Sequence, residues 1–210
     1  MEQILVQRAL NELQTIESRL YNKLDDFQVV GTRKATETRV SETRESVEKF
    51  AINAKAKLQS VTDLVVRYNA LKHAIMTSNA NTKVIIGGKE YTVMTAIERK
   101  RSINYEKAIV KQLKSVLLSA ERKVDRENAQ VEREIEKRVV QMCNGDLAAR
   151  KADFVTEFEK NYRANNEWVL VDSLQAKELI EQLEQEILAF ELEVDTALTV
   201  ANSTTVIAIP

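Results

Sequence analysis

A mainly α fold of long, antiparallel, coiled-coil-like helices in a bundle, with a β-hairpin and a small accessory sheet, follows from three observations. An apolar row recurs every seven residues through Val40, Val47, Ala54, Val61, Tyr68 and Ile75, with Phe50, Leu64 and Leu71 three residues after members of it. Residues 3, 4 and 7 apart share one face of a helix, so this row predicts a long helix with a buried seam. No proline precedes the final residue, Pro210, and the 210 residues include only four glycines. Aromatic residues make up 5% and charged residues 30%, which suits solvated helices and leaves few turns for a many-stranded sheet.

The first helix is expected over about 2–27, where Val6, Leu13, Leu20 and Phe27 keep the seven-residue step beside Leu10 and Leu24. Gly31 and the polar run Thr32 to Thr38 read as a connection. The second helix is expected over about 38–78, with one flaw in its seam, where Lys57 stands in an apolar place and Leu58 substitutes from next door. The pattern then changes. Val84-Ile85-Ile86 and Lys89 to Val93 flank Gly87-Gly88, and a glycine pair between β-prone runs predicts a hairpin over about 84–93. Thr92 and Thr95 are both candidate caps for a third helix over about 94–142, and Thr95-Ala-Ile-Glu98 has capping-box spacing.

In that third helix Ile103, Val110, Leu117, Val124 and Val131 continue the row, and the stretch from Glu121 to Arg138 carries at most one narrow apolar stripe. Asn144-Gly145-Asp146 reads as a stop and restart, leading to a shorter helix over about 146–164. Trp168 to Val171 reads as a short strand. Asp172 or Ser173 is expected to cap a last helix over about 173–201, whose rows are Ala176, Leu183, Phe190, Ala197 and Ile180, Ile187, Val194, Ala201. Val206 to Ile209 closes the chain as an apolar strand. A lone hairpin is marginal in water. The three β-prone pieces are therefore expected to gather into one small sheet at one end of the helices or across a subunit interface. The whole reads as one helical domain, 1–210.

The net charge is −1, from 31 basic and 32 acidic residues, so no global field draws the chain to nucleic acid or anionic lipid. Cys143 is the only cysteine, which excludes an internal disulfide and fits a reducing compartment. MEQILVQRAL lacks a basic run followed by a long apolar core, and no window approaches 18 consecutive apolar residues. Neither a signal peptide nor a transmembrane segment is expected.

Two segments carry a family resemblance. Ile75-Met-Thr-Ser-Asn79-Ala80-Asn-Thr82, followed by the Gly-Gly hairpin and Thr92, resembles the central motif of the septicolysin-like family, small helical proteins of bacteria and some of their viruses. Glu193-Val194-Asp195-Thr196-Ala-Leu-Thr-Val-Ala201-Asn202-Ser-Thr-Thr205 is similar to that family's closing motif. Both place Asn at a helix end with Thr following. The chain departs from the family where an Arg-Asp pair is common early in the third helix, here Glu98-Arg99-Lys100-Arg101, and where Trp usually follows the Asn, here Ser203. The resemblance implies a helical fold with a β-hairpin, and oligomers. It implies little about activity.

The chemistry-bearing residues are few. His73 has Ala70, not Glu, three residues earlier, so it lacks the Glu-x-x-His ligand pair and reads as a solvent-facing or interface histidine. Cys143 ends the longest helix, at the wrong end of the dipole for a low-pKa nucleophile, and reads as a packed thiol. Glu181, Glu184 and Glu186 alternate with a seam and read as a solvated face. Gly87-Gly88 lacks the further glycines and the Lys-Ser/Thr of a phosphate loop. No metal ligand set, cofactor site or catalytic group is expected. The basic turn is the best candidate site for a small anionic ligand, through Lys83, Lys89, Tyr91, Arg99 and Arg101, with Lys100 beside them. Arg forks bind phosphate and Tyr stacks on a base. The plainer reading is that these charges balance acids on neighbouring helices, and it is the preferred one.

The expected function is that of a cytoplasmic, non-enzymatic, oligomeric binding or scaffold protein that partners itself through its heptad seams, in a bacterial cell or its virus-infected host. The runner-up is a protein that sequesters a phosphate-bearing small molecule such as a nucleotide immune signal. A membrane-active toxin comes third, as a surface-binding amphipathic helix.

Overall fold

The computed structural model describes residues 2–143 and 153–209. Among these residues the chain is mainly α, with five helices and two small antiparallel sheets of two strands each. The order is β1 (Glu2–Leu5), α1 (Val6–Asp25), α2 (Val47–Asn81), β2 (Lys83–Ile86), β3 (Lys89–Thr92), α3 (Val93–Met142), α4 (Asp153–Asn166), α5 (Ala176–Thr204) and β4 (Val206–Ile209). The chain divides into two compact units: residues 1–101 with 189–210, and residues 102–188. The division falls within α3 and within α5.

In the first unit, α1 and α2 are antiparallel, as their cross-links show. Lys57 reaches Asp26, Arg67 reaches Glu12, and Tyr68 donates to Glu17. Between them lies a core of Ile4, Val6, Ala9, Leu13, Ile16, Leu71, Ile75, Ile207 and Ile209. The flaw at Lys57 has a use. Its ammonium donates to the Asp26 carbonyl at 2.8 Å and to the carboxylate at 3.0 Å, tying α2 to the end of α1.

Three expectations change here. Residues 2–5 are not the start of the first helix. They are β1, paired with β4 in the register Glu2↔Ile209 to Leu5↔Val206. A strand so short is fixed by a partner at the far end of the sequence, which local periodicity does not report. The second helix starts at Val47, not near residue 38, because Ser46 caps it by accepting from the Lys49 N–H at 3.3 Å. Before it, Thr32 donates backbone and side-chain hydrogen bonds to the Glu42 carboxylate, and an isolated bridge joins Arg39 to Ser46. Val40 belongs to this connection, although it is buried as the heptad row requires. The β-prone pieces also do not share one sheet. β2 pairs with β3 alone, and β4 pairs with β1.

The hairpin over 84–93 is present as β2 and β3, in the register Lys83↔Thr92 to Ile86↔Lys89. Gly87 and Gly88 have φ of +56° and +72°, the values a two-residue turn of this twist needs. Thr92 and Thr95 each accept from the other's backbone N–H, which caps α3 reciprocally.

In the second unit, α3 and α4 are antiparallel, with Arg163 paired to Glu132 at 2.6 Å and a small core of Ile135, Val139, Cys143 and Val155. The restart expected at Asn144-Gly145-Asp146, and the helix start at 146, lie outside the described residues. Trp168–Val171 is not a strand. Trp168 gives its N–H to the Asn128 side-chain oxygen at 2.8 Å, and its carbonyl accepts from the same amide at 2.9 Å. One side chain thus occupies the backbone groups a neighbouring strand would use. Asp172 caps α5, accepting from the Leu174 and Ala176 N–H groups, and the helix begins at Ala176.

Candidate functional site

The basic turn sits in the first unit, where the hairpin leads into α3 and packs on the C-terminal part of α5. Lys83 lies on β2, Lys89 and Tyr91 on β3, and Arg99, Lys100 and Arg101 in the first turns of α3. The sequence places them together because a tight turn returns the chain within a few residues and Thr92 starts the helix at once.

Each side chain faces a partner within the chain. Lys83 pairs with Glu90 across the hairpin at 2.9 Å, and Arg101 pairs with Glu98 at 2.7 Å. Lys100 donates to Asp195 on α5. Arg99 donates to the Tyr91 hydroxyl and lies 4.6 Å from the centre of the Phe190 ring. Tyr91 meets Phe190 edge to face, with ring centres 5.6 Å apart and planes at 65°. Phe190 is only 1% exposed. The guanidinium therefore lies against two aromatic rings in a half-buried place, where cation–π attraction is stronger than in open water. The turn also has an acid. Glu193 accepts from the Gly87 N–H at 2.7 Å.

Sequence reasoning named the cations and Tyr91 but missed Phe190, Glu193 and Asp195 as their neighbours. A signal existed. Phe190 and Val194 lie on the inward rows of the last helix, with Glu193 and Asp195 on either side of Val194. What the rows do not tell is which segment lies against them.

The other candidates fall as follows. His73 is exposed on α2 and lines a concavity of about 510 Å³ with Thr77, Asn81, Thr205 and Ile207. Cys143 is buried beside Val139 and Val155. Glu184 accepts from Lys114 at 2.7 Å, Glu186 accepts from Gln182 at 3.3 Å, and Glu181 is exposed. Among the described residues no group of three or more His, Cys, Asp or Glu is placed to hold a metal ion, and no helix is long and apolar enough to cross a membrane.

The firmest electrostatic shifts lie away from the basic turn. The hydrogen bond to Glu12, with Glu2 adding to it, raises the pKa of Arg67 against partial desolvation. Hydrogen bonding by Arg163 lowers that of Glu132, Lys137 lowers that of Glu134, and the Thr32 N–H and hydroxyl lower that of Glu42. These are structural ties between helices, within one helix or within a loop. Comparison with protein-family models, with characterised proteins and with solved structures gives no match.

Proposed function

We propose that this chain is a non-enzymatic helical scaffold that works as a homo-oligomer in the cytoplasm. The observation that carries this reading is an apolar row left on the surface of α3. Tyr105, Ile109 and Val116 are 76%, 56% and 57% exposed, and spacings of four and seven put them on one face. Large apolar side chains aligned along a helix favour burial against a partner, and a second copy supplies the same row for an isologous contact. Leu188 and Leu192 on α5 are exposed in the same way, four residues apart.

The basic turn gives less support to the sequestration of an anion. Lys83, Arg99, Lys100 and Arg101 already engage carboxylates or aromatic rings of the chain itself. A phosphate would have to displace those partners rather than fill an unmet need.

The test is native mass spectrometry with light scattering on the wild type and on Ile109→Glu/Val116→Glu. An oligomer is expected from the wild type, as a multiple of the 23.9 kDa chain, with a shift to monomer in the variant. A wild type that stays monomeric at micromolar concentration rejects the reading. A bound small molecule of defined mass at one per subunit would move the assignment to sequestration.

A further inference from the structure

The first unit contains one arrangement twice. A helix ends on Thr82, the chain continues as a strand, and that strand pairs with another that leads into a helix beginning at Val93. A helix also ends just before Thr205, the chain continues as β4, and β4 pairs with β1, which leads into a helix beginning at Val6. The junctions are closed by the same hydrogen bonds. Thr82 N–H donates to Ser78 O at 2.8 Å, and Thr205 N–H donates to Ala201 O at 2.9 Å. Val93 N–H donates to Thr82 O at 2.9 Å, and Val6 N–H donates to Thr205 O at 2.9 Å.

The residues correspond as well. Counting back from the two threonines, Asn79 matches Asn202, both half-buried, and Leu71 matches Val194, both buried. Counting forward, Ile86 matches Ile209, at 1% and 0% exposure. On the returning arm, Val6 matches Val93 and Ala9 matches Ala96, all at 2% exposure or less. Shared turn chemistry alone would explain the threonines. It would not explain an alanine and a valine at matching places on the helix faces, or an asparagine three residues before each threonine. The match extends to contacts. Glu12 and Arg67 form an ion pair at 2.8 Å in one arrangement, and the residues at the same places in the other, Arg99 and Phe190, lie face to ring at 4.6 Å.

We infer that the first unit is two copies of one module, helix–Thr–strand paired with strand–Val–helix, and that the pair Ile209 and Glu2 stands where the other copy has Ile86 and Lys89 on either side of its Gly87–Gly88 turn. This gives a meaning to the two Asn-and-Thr segments, 79–82 and 202–205, that the sequence sets apart: they are the same joint used twice. The two copies have kept backbone and core and have diverged in the pair that ties their helices, ionic in one and aromatic in the other. Repetition of a supersecondary unit that cannot bury its apolar face alone is a common route to a larger core.

The equivalence has a direct test. Ile209 and Glu2 are partners in register, so two glycines in place of Pro210 and Met1 reproduce the two-residue turn of the other copy. A full-length permutant joined there and opened between Gly87 and Gly88 is expected to keep the wild-type helical circular dichroism and to melt within about 5 °C of it, since closing one tight turn while opening another changes little else. A second experiment uses matching exposed positions. Gln3→Cys/Ala208→Cys and Ile85→Cys/Glu90→Cys are expected to form intramolecular disulfides in similar yield under mild oxidation, read as mass loss and gel mobility. A folded permutant supports the inference. If the permutant does not fold, the cysteine pairs decide: similar yields uphold the equivalence, and a disulfide at 85/90 with none at 3/208 overturns it.

Discussion

Phe190 gathers around itself much of what distinguishes the hairpin end of the first unit. It is buried against Tyr91 and Arg99 near the middle of α5. Phe190→Ala is expected to cost about 3–5 kcal/mol, because it removes the ring and leaves Arg99 beside a void. Denaturant melts of this variant should move far more than those of Glu181→Ala, which is exposed; equal shifts would show that Phe190 is not a core residue. Arg99→Lys is the subtler change. Lysine keeps the charge but loses the planar face that lies on the rings, so about 1 kcal/mol is expected to be lost. The seam of the last helix placed Phe190 in the core from the sequence alone. The role of Arg99 was not legible, because a basic residue after a turn reads the same whether it awaits a ligand or covers an aromatic ring two elements away.

At the scale of elements, the legible parts are those whose reasons are local. The glycine pair fixed the hairpin, and the threonine caps, with Asp172, set where α3 and α5 begin. Gly87 carries two separate demands. Its φ is +56°, and an added Cβ would lie 3.1 Å from that of Ala189. Gly87→Ala is therefore expected to destabilise by about 1 kcal/mol or more, while Gly88, with open space around its Cβ position, bears only the cost of its φ. Thermal melts of the two variants should rank Gly87→Ala as the worse; the reverse order would contradict the close approach of the turn to α5. The illegible parts depend on distant partners. β1 reads as helix because Gln3 to Leu5 continue smoothly into Val6 and only β4 makes them a strand. Trp168 to Val171 reads as strand, yet Asn128 takes the Trp168 backbone groups first. Ile209 is fully buried in the core it shares with Val6 and Leu71. Ile209→Ala should accordingly lose about 2–5 kcal/mol, far more than a terminal residue without a partner would.

For the molecule as a whole, nearly equal numbers of acids and bases mean that charge acts through particular pairs and not through a net field. Many of these pairs are exposed and contribute little singly. Their pH dependence still has a definite sign. Glu132, Glu134 and Glu42 have folded-state pKa values lowered from the ordinary Glu value, held there by Arg163, Lys137 and Thr32 respectively. A depressed carboxylate binds its proton more readily in the unfolded chain. Its contribution is complete above the unfolded value and is lost as pH falls through the folded one. The melting temperature is therefore expected to be flat from neutral pH to about 5 and to fall below about 4.3. Glu132→Gln removes one of these groups together with its pairing to Arg163. It should start lower at neutral pH and drop by less on acidification, so that the two curves converge in acid. Parallel curves from pH 7 to 3 would show that the tie between α3 and α4 does not depend on the Glu132 charge.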